Sequence, residues 1–198
     1  MIFNLLFFLG VALGCSIPLD KIFLWITSLY RKTFRDAKPP KQFYVSKAPF
    51  VFIIANGLEL LKGYSLFFIA NFFYDDDLIL LATFLIGTFF QTYSFFGKRS
   101  FFSTLAFVLG LFSSLWLPSI LLYPLLFCIF IVFFNNLYSG LQISIILFSF
   151  VVWVIFQDAF YIYVGITMGM AILFSYLTQF IRIFSGRPQS LKVLFDGR

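Results

Sequence analysis

Glu59 and Lys62 are the residues whose type and spacing point first to chemistry, because they interrupt an apolar stretch and their side chains meet three positions apart on a helix. An ionisable residue inside a membrane-spanning run is a functional candidate by default. The alternative is a structural ion pair that holds its helix against its neighbours, and spacing alone leaves both readings open. Gly57 and Gly63 flank the pair and would allow close helix approach in either case. The chain has no histidine, which removes imidazole base catalysis, Ser-His pairs and His-ligated metal sites. Asp75, Asp76, Asp77 and Asp158 match no catalytic spacing, and a solvated loop is their default role. A divalent cation at Asp75 to Asp77 is the rival reading, although oxygen-ligand sites usually use a more dispersed donor set. No metal and no cofactor are expected. Cys15 and Cys128 fall in separate apolar runs and read as buried free thiols. The Ala-Leu-Gly-Cys stretch ending at Cys15 has no positively charged segment before its apolar run, as a signal peptide requires, so the run is expected to remain as a first helix.

Positioning these groups falls to a nearly continuous apolar text: 62% of the 198 residues are hydrophobic and the mean hydropathy is +1.00. Polar punctuation divides it into about seven runs, against the roughly 20 residues that a membrane crossing needs. The expected spans are Ile2 to about Leu24, Ala48 to Phe73, Leu78 to Phe96, Phe101 to Leu117, Ser119 to Phe134, Leu141 to Phe156, and Phe160 to Phe184. The class is therefore all-α, a single polytopic membrane domain with a basic loop over 31–47 and a tail over 185–198. That loop is too short to bury a core of its own. The two short runs around Pro118 form either two spans or one re-entrant element, which gives seven crossings or five. The 33 phenylalanines suit lipid-facing helices as well as leucine does.

Twelve of the 14 Lys and Arg residues fall in three segments: Arg31, Lys32, Arg35, Lys38, Lys41 and Lys47; Lys98 and Arg99; and Arg182, Arg187, Lys192 and Arg198. Seven spans put all three on one side and the Asp residues on the other, as the positive-inside rule asks. The N-terminus is then outside and the C-terminus cytoplasmic. Six spans break this sidedness, while five preserve it. The net charge of +6 is juxtamembrane and spread over three segments, which fits anionic lipid headgroups or a convergent phosphorylated substrate and not nucleic acid.

Several segments, read in order, resemble the bacterial acyl-phosphate:glycerol-3-phosphate acyltransferases, the PlsY family. Gly14-Cys15-Ser16-Ile17-Pro18 is similar to its Gly-Ser-Ile-Pro, and Glu59-Leu60-Leu61-Lys62-Gly63 to its Asp-Val-Leu-Lys-Gly. Gly87-Thr88-Phe89-Phe90 followed by Phe96-Gly97-Lys98-Arg99 resembles Gly-His-x-Phe-Pro and Phe-Lys-Gly-Gly-Lys-Gly, and Gln179-Phe180-Ile181-Arg182 with Gly186 resembles Asn-Ile-x-Arg-Leu and its trailing Gly. The resemblance runs from about Gly14 to Pro188. It implies Glu59, Lys62 and Arg182 as candidate catalytic residues. Lys41, Lys98, Arg99, Gln179 and Arg182 are the implied substrate-binding set for glycerol 3-phosphate and an acyl phosphate.

The departures bear on function. Arg35-Asp36-Ala37-Lys38-Pro39-Pro40-Lys41-Gln42 stands where the family has a glycine-rich phosphate loop; two prolines remove two backbone donors and no glycine remains to form a nest. Thr88 and Tyr176 stand at the family's histidines, and Ser175 at an arginine. Two functions follow as expectations. The first is a non-catalytic lipid-binding or structural subunit of a membrane complex, associating with membrane lipids and other membrane subunits in the bacterial inner membrane. The second is a divergent acyltransferase in which cations stabilise the phosphate leaving group and the oxyanion. A small transporter ranks third, because no inverted repeat is evident.

Overall fold

The computed structural model describes residues 2–34, 49–93, 95, 101–134 and 136–176, and among these every regular element is an α-helix. The helices are α1 Ile2–Ser16, α2 Leu19–Phe34, α3 Pro49–Phe73, α4 Asp77–Thr92, α5 Phe101–Leu115, α6 Ser119–Phe134, α7 Leu137–Phe156 and α8 Phe160–Ser175. Two of them, over Phe52–Phe73 and Leu137–Phe156, are long and apolar enough to cross a membrane. The bent pair α1 and α2 makes a third if it is one broken span. The remaining four are apolar helices of 15 or 16 residues.

The expected first span is corrected. It breaks at Ile17 and Pro18, where the helix axis turns by 44°, because proline has no N–H to donate and pushes the residue before it out of helical geometry. The chain then stays helical to Phe34, so Arg31 and Lys32 end a helix instead of opening a loop. α4 stops at Thr92, four residues short of the expected Phe96, and α5 stops at Leu115. α7 starts four residues early because Asn136 caps it: the carboxamide oxygen accepts from the N–H groups of Tyr138 (3.0 Å) and Ser139 (3.1 Å). Of the last expected span, the structure describes helix only to Ser175.

α5 and α6 are separate helices joined at Trp116 to Pro118, where the Ser119 hydroxyl donates to the Phe112 carbonyl at 3.0 Å. α5 and α7, with α6 between them in sequence, run in the same direction, and α8 runs opposite to both. Phe101, Tyr138 and Tyr176 meet at one end, with ring centroids 5.4 and 4.7 Å apart. Trp116, Phe156 and Tyr161 meet at the other, at 6.1 and 5.3 Å. α4 lies at the centre and touches α1, α3, α5 and α8.

The closest crossing is that of α3 and α5. A methyl on Gly63 would collide with the Phe107 carbonyl, and one on Gly110 with the Leu60 carbonyl, so both glycines exist for backbone approach. Among the described residues, Gly57 has no such neighbour within 4 Å. Cys15 is buried as expected, but Cys128 is exposed on α6.

Candidate functional site

Breaking a helix leaves carbonyls without donors at the end of the first half and N–H groups without acceptors at the start of the second. α3 supplies both from one ion pair. The Lys62 ammonium stands 2.6 Å from Glu59 Oε2, 3.0 Å from the Ile17 carbonyl and 3.3 Å from the Cys15 carbonyl. On the other side, the Asp20 N–H in the first turn of α2 donates to Glu59 Oε1 at 3.1 Å. A cation thus sits at the negative end of α1 and a carboxylate at the positive end of α2, the arrangement that both helix dipoles favour.

The carboxylate is held from a third direction. Gln91 on α4 donates through Nε2 to Glu59 Oε2 (2.9 Å) and to the Ser103 hydroxyl on α5 (3.2 Å). Turning the amide over would aim its oxygen at the carboxylate, so the charge fixes its orientation. Glu59 is fully buried and the Lys62 side chain is only 12% exposed. Charges this deep persist when paired and hydrogen-bonded. The Lys62 ammonium also lies 5.8 Å from the centre of the Phe107 ring.

Thr88 lies one turn before Gln91 on the buried side of α4, and neither its hydroxyl nor Gln91 Oε1 has a hydrogen-bond partner among the described residues. Gly87 completes this face: a methyl there would come within 2.6 Å of Leu66 and 3.4 Å of Cys15. Three of the four segments that carry the family resemblance are therefore brought together, at Gly14 to Pro18, Glu59 to Gly63 and Gly87 to Phe90. From the fourth region the structure describes Tyr176, whose hydroxyl is 3.1 Å from that of Thr104. Lys41, Lys98, Arg99, Gln179 and Arg182 lie outside the described residues.

Sequence reasoning missed Gln91, Ser103 and the Asp20 backbone. Gln91 had a readable signal: it interrupts an apolar run at i+4 from Gly87 and i+3 from Thr88, so all three share a face. Asp20 had none, since its contribution is a backbone N–H. The exposed triad Asp75 to Asp77 has a local role in Asp76, whose carboxylate accepts the Leu78 N–H at 2.9 Å and caps α4. The Asp158 carboxylate accepts the Phe160 N–H at 2.9 Å.

Fold and site together define an all-α bundle with helices suited to crossing a membrane and an internal polar centre that ties a broken helix to its neighbours. Compared with protein-family models, with curated proteins and with solved structures, the chain matches none of them.

Proposed function

We propose that this chain is a seven-pass protein of the bacterial cytoplasmic membrane, similar to the PlsY family, that acts as a non-catalytic lipid-binding or structural subunit of a membrane complex. The observation that carries this reading is the use made of Glu59 and Lys62. Both are spent on stitching the break between α1 and α2. The alternating helix directions support seven crossings, with α1 and α2 as one broken span. The described helix ends at Phe52, Phe102, Tyr138 and Tyr176 lie at one end of the bundle, and α4 and α8 begin after Asp76 and Asp158 at the other. Helices of 15 or 16 residues are about 23 Å long, short of a hydrocarbon core of about 30 Å, and local thinning of the bilayer would accommodate them.

A divergent acyltransferase is the second reading, favoured by the convergence of three resembling segments on one buried polar centre. Acyl transfer from palmitoyl phosphate to labelled glycerol 3-phosphate, run beside an authentic family member, separates the two. A folded protein that forms no lysophosphatidate and co-purifies with membrane partners supports the subunit. Formation of lysophosphatidate that is lost in Arg182→Ala overturns it.

A further inference from the structure

α1 and α3 are pinned together at two places and stand apart between them. One pin is the Lys62 ammonium on the carbonyls of Cys15 and Ile17. The other is aromatic: Phe7 lies 5.0 Å from Tyr74 and 6.0 Å from Phe73, and the Tyr74 hydroxyl donates to Asn4 Oδ1 at 2.9 Å. Between the pins runs a slot of about 310 Å³, lined by Leu6, Gly10 and Gly14 of α1 and Leu66, Ile69 and Phe73 of α3. Its outer edge opens sideways, where Leu6, Ile69 and Phe73 are exposed.

We infer that this slot holds one acyl chain of a bilayer phospholipid, inserted sideways between the pins. Its dimensions select the occupant. The eleven helical steps from Lys62 to Phe73 span about 16 Å, so the 310 Å³ slot averages about 19 Å² in cross-section. Carbon chains pack at about 4 Å, so a single polymethylene chain needs on the order of 16 Å². A helix about 10 Å across needs roughly 80 Å² and is excluded.

Charge complementarity points the same way. Lys62, the one charged lining residue, already donates to Glu59 and to two carbonyls, and the Ser65 hydroxyl donates to the Lys62 carbonyl. The slot presents satisfied polar groups and hydrocarbon, which suits a tail and not a buried headgroup. Gly10 and Gly14 face its open space, since a Cβ at either would meet nothing within 4 Å among the described residues.

This inference rests on the membrane reading, and carbonate extraction of native membranes tests that reading separately. A chain released into the aqueous fraction sinks both, whereas a membrane-retained chain leaves the slot to be judged on its own. The slot is tested by counting phospholipids retained per purified chain by mass spectrometry, in the natural protein and in Gly10→Phe/Gly14→Phe. One tightly held phospholipid in the natural protein, lost in the filled variant at an unchanged helical content, is the expected result. Equal retention in both overturns the proposal.

Because the double variant is large, Gly10→Leu alone and photo-crosslinking of a diazirine-tailed phosphatidylglycerol to the natural protein serve beside it. Crosslinks on α1 and α3 that Gly10→Leu reduces severalfold support the slot. Crosslinks confined to other helices refute it. Stabilisation of the delipidated protein by phosphatidylglycerol and not by oleic acid assigns the tail to a phospholipid, whereas an equal shift with oleic acid overturns that source.

Discussion

Replacing Lys62 by methionine keeps the length of the side chain and removes its charge, and its cost follows from the contacts it leaves behind. Glu59 remains fully buried as a carboxylate with the Asp20 N–H and the Gln91 amide as donors, but without its 2.6 Å cation. Removing one partner of a buried pair costs about 3–5 kcal/mol, most of it from the stranded charge. The carbonyls of Cys15 and Ile17 lose a donor as well; Ile17 still accepts the Leu19 N–H at 3.1 Å, so this adds only about 1 kcal/mol. Lys62→Met is therefore expected to destabilise the protein by about 5 kcal/mol.

Glu59→Gln/Lys62→Met is expected to recover much of that loss, because a neutral amide can accept from Asp20 without stranding a charge, and replacing both members of a buried pair is often close to neutral. Equilibrium unfolding in a mixed-detergent titration, run as a double-mutant cycle, gives the coupling directly. Its expected size is about 2–3 kcal/mol. A Lys62→Met variant within about 1 kcal/mol of the natural protein, or a double variant as unstable as the sum of the singles, would refute the clamp.

Gly63→Ala and Gly110→Ala force the carbonyls of Phe107 and Leu60 away and are each expected to cost about 1–3 kcal/mol, while Gly57→Ala, measured in the same titration, changes stability by less than about 1 kcal/mol. Asn136→Ala removes the acceptor of two N–H groups at the start of α7 and should cost about 1 kcal/mol, with faster amide exchange confined to the first turn. Single cysteines placed at Lys41 and at Asp76 in a chain without Cys15 and Cys128 are expected to label with an impermeant maleimide from opposite faces of the membrane. Labelling of both from the same face would remove the proposed sidedness.

Legibility in the sequence followed the kind of signal. The apolar runs located α3, α5 and α6 closely because polar or proline residues bracket them, and the i,i+3 spacing of Glu59 and Lys62 anticipated their contact. Pro18 carried the break in plain view, but the hydropathy on both sides is continuous enough to read as one helix. What the pair does could not be read, because its partners are backbone atoms of α1 and α2, which every residue type supplies equally. The start of α7 was missed for a related reason: Tyr138, Ser139 and Gly140 look like loop residues, and only the direction of the Asn136 side chain turns them into a first turn. The packing of Gly63 against α5 was readable, whereas nothing local told it apart from the equally small Gly57.

The clamp also sets the terms on which any chemistry at this centre could occur. For Lys62 to neutralise a substrate phosphate it would have to turn away from Glu59 and the α1 carbonyls, at the same cost of about 5 kcal/mol that its substitution carries. A substrate anion would have to return that energy at the site before any acceleration began. Gln91 sharpens the constraint, since its amide is oriented by the Glu59 charge and links that charge to Ser103. A proton taken up by Glu59 would loosen α2, α4 and α5 together. Catalysis and clamping therefore compete for the same two side chains, and in the arrangement seen each charge is directed at a helix end.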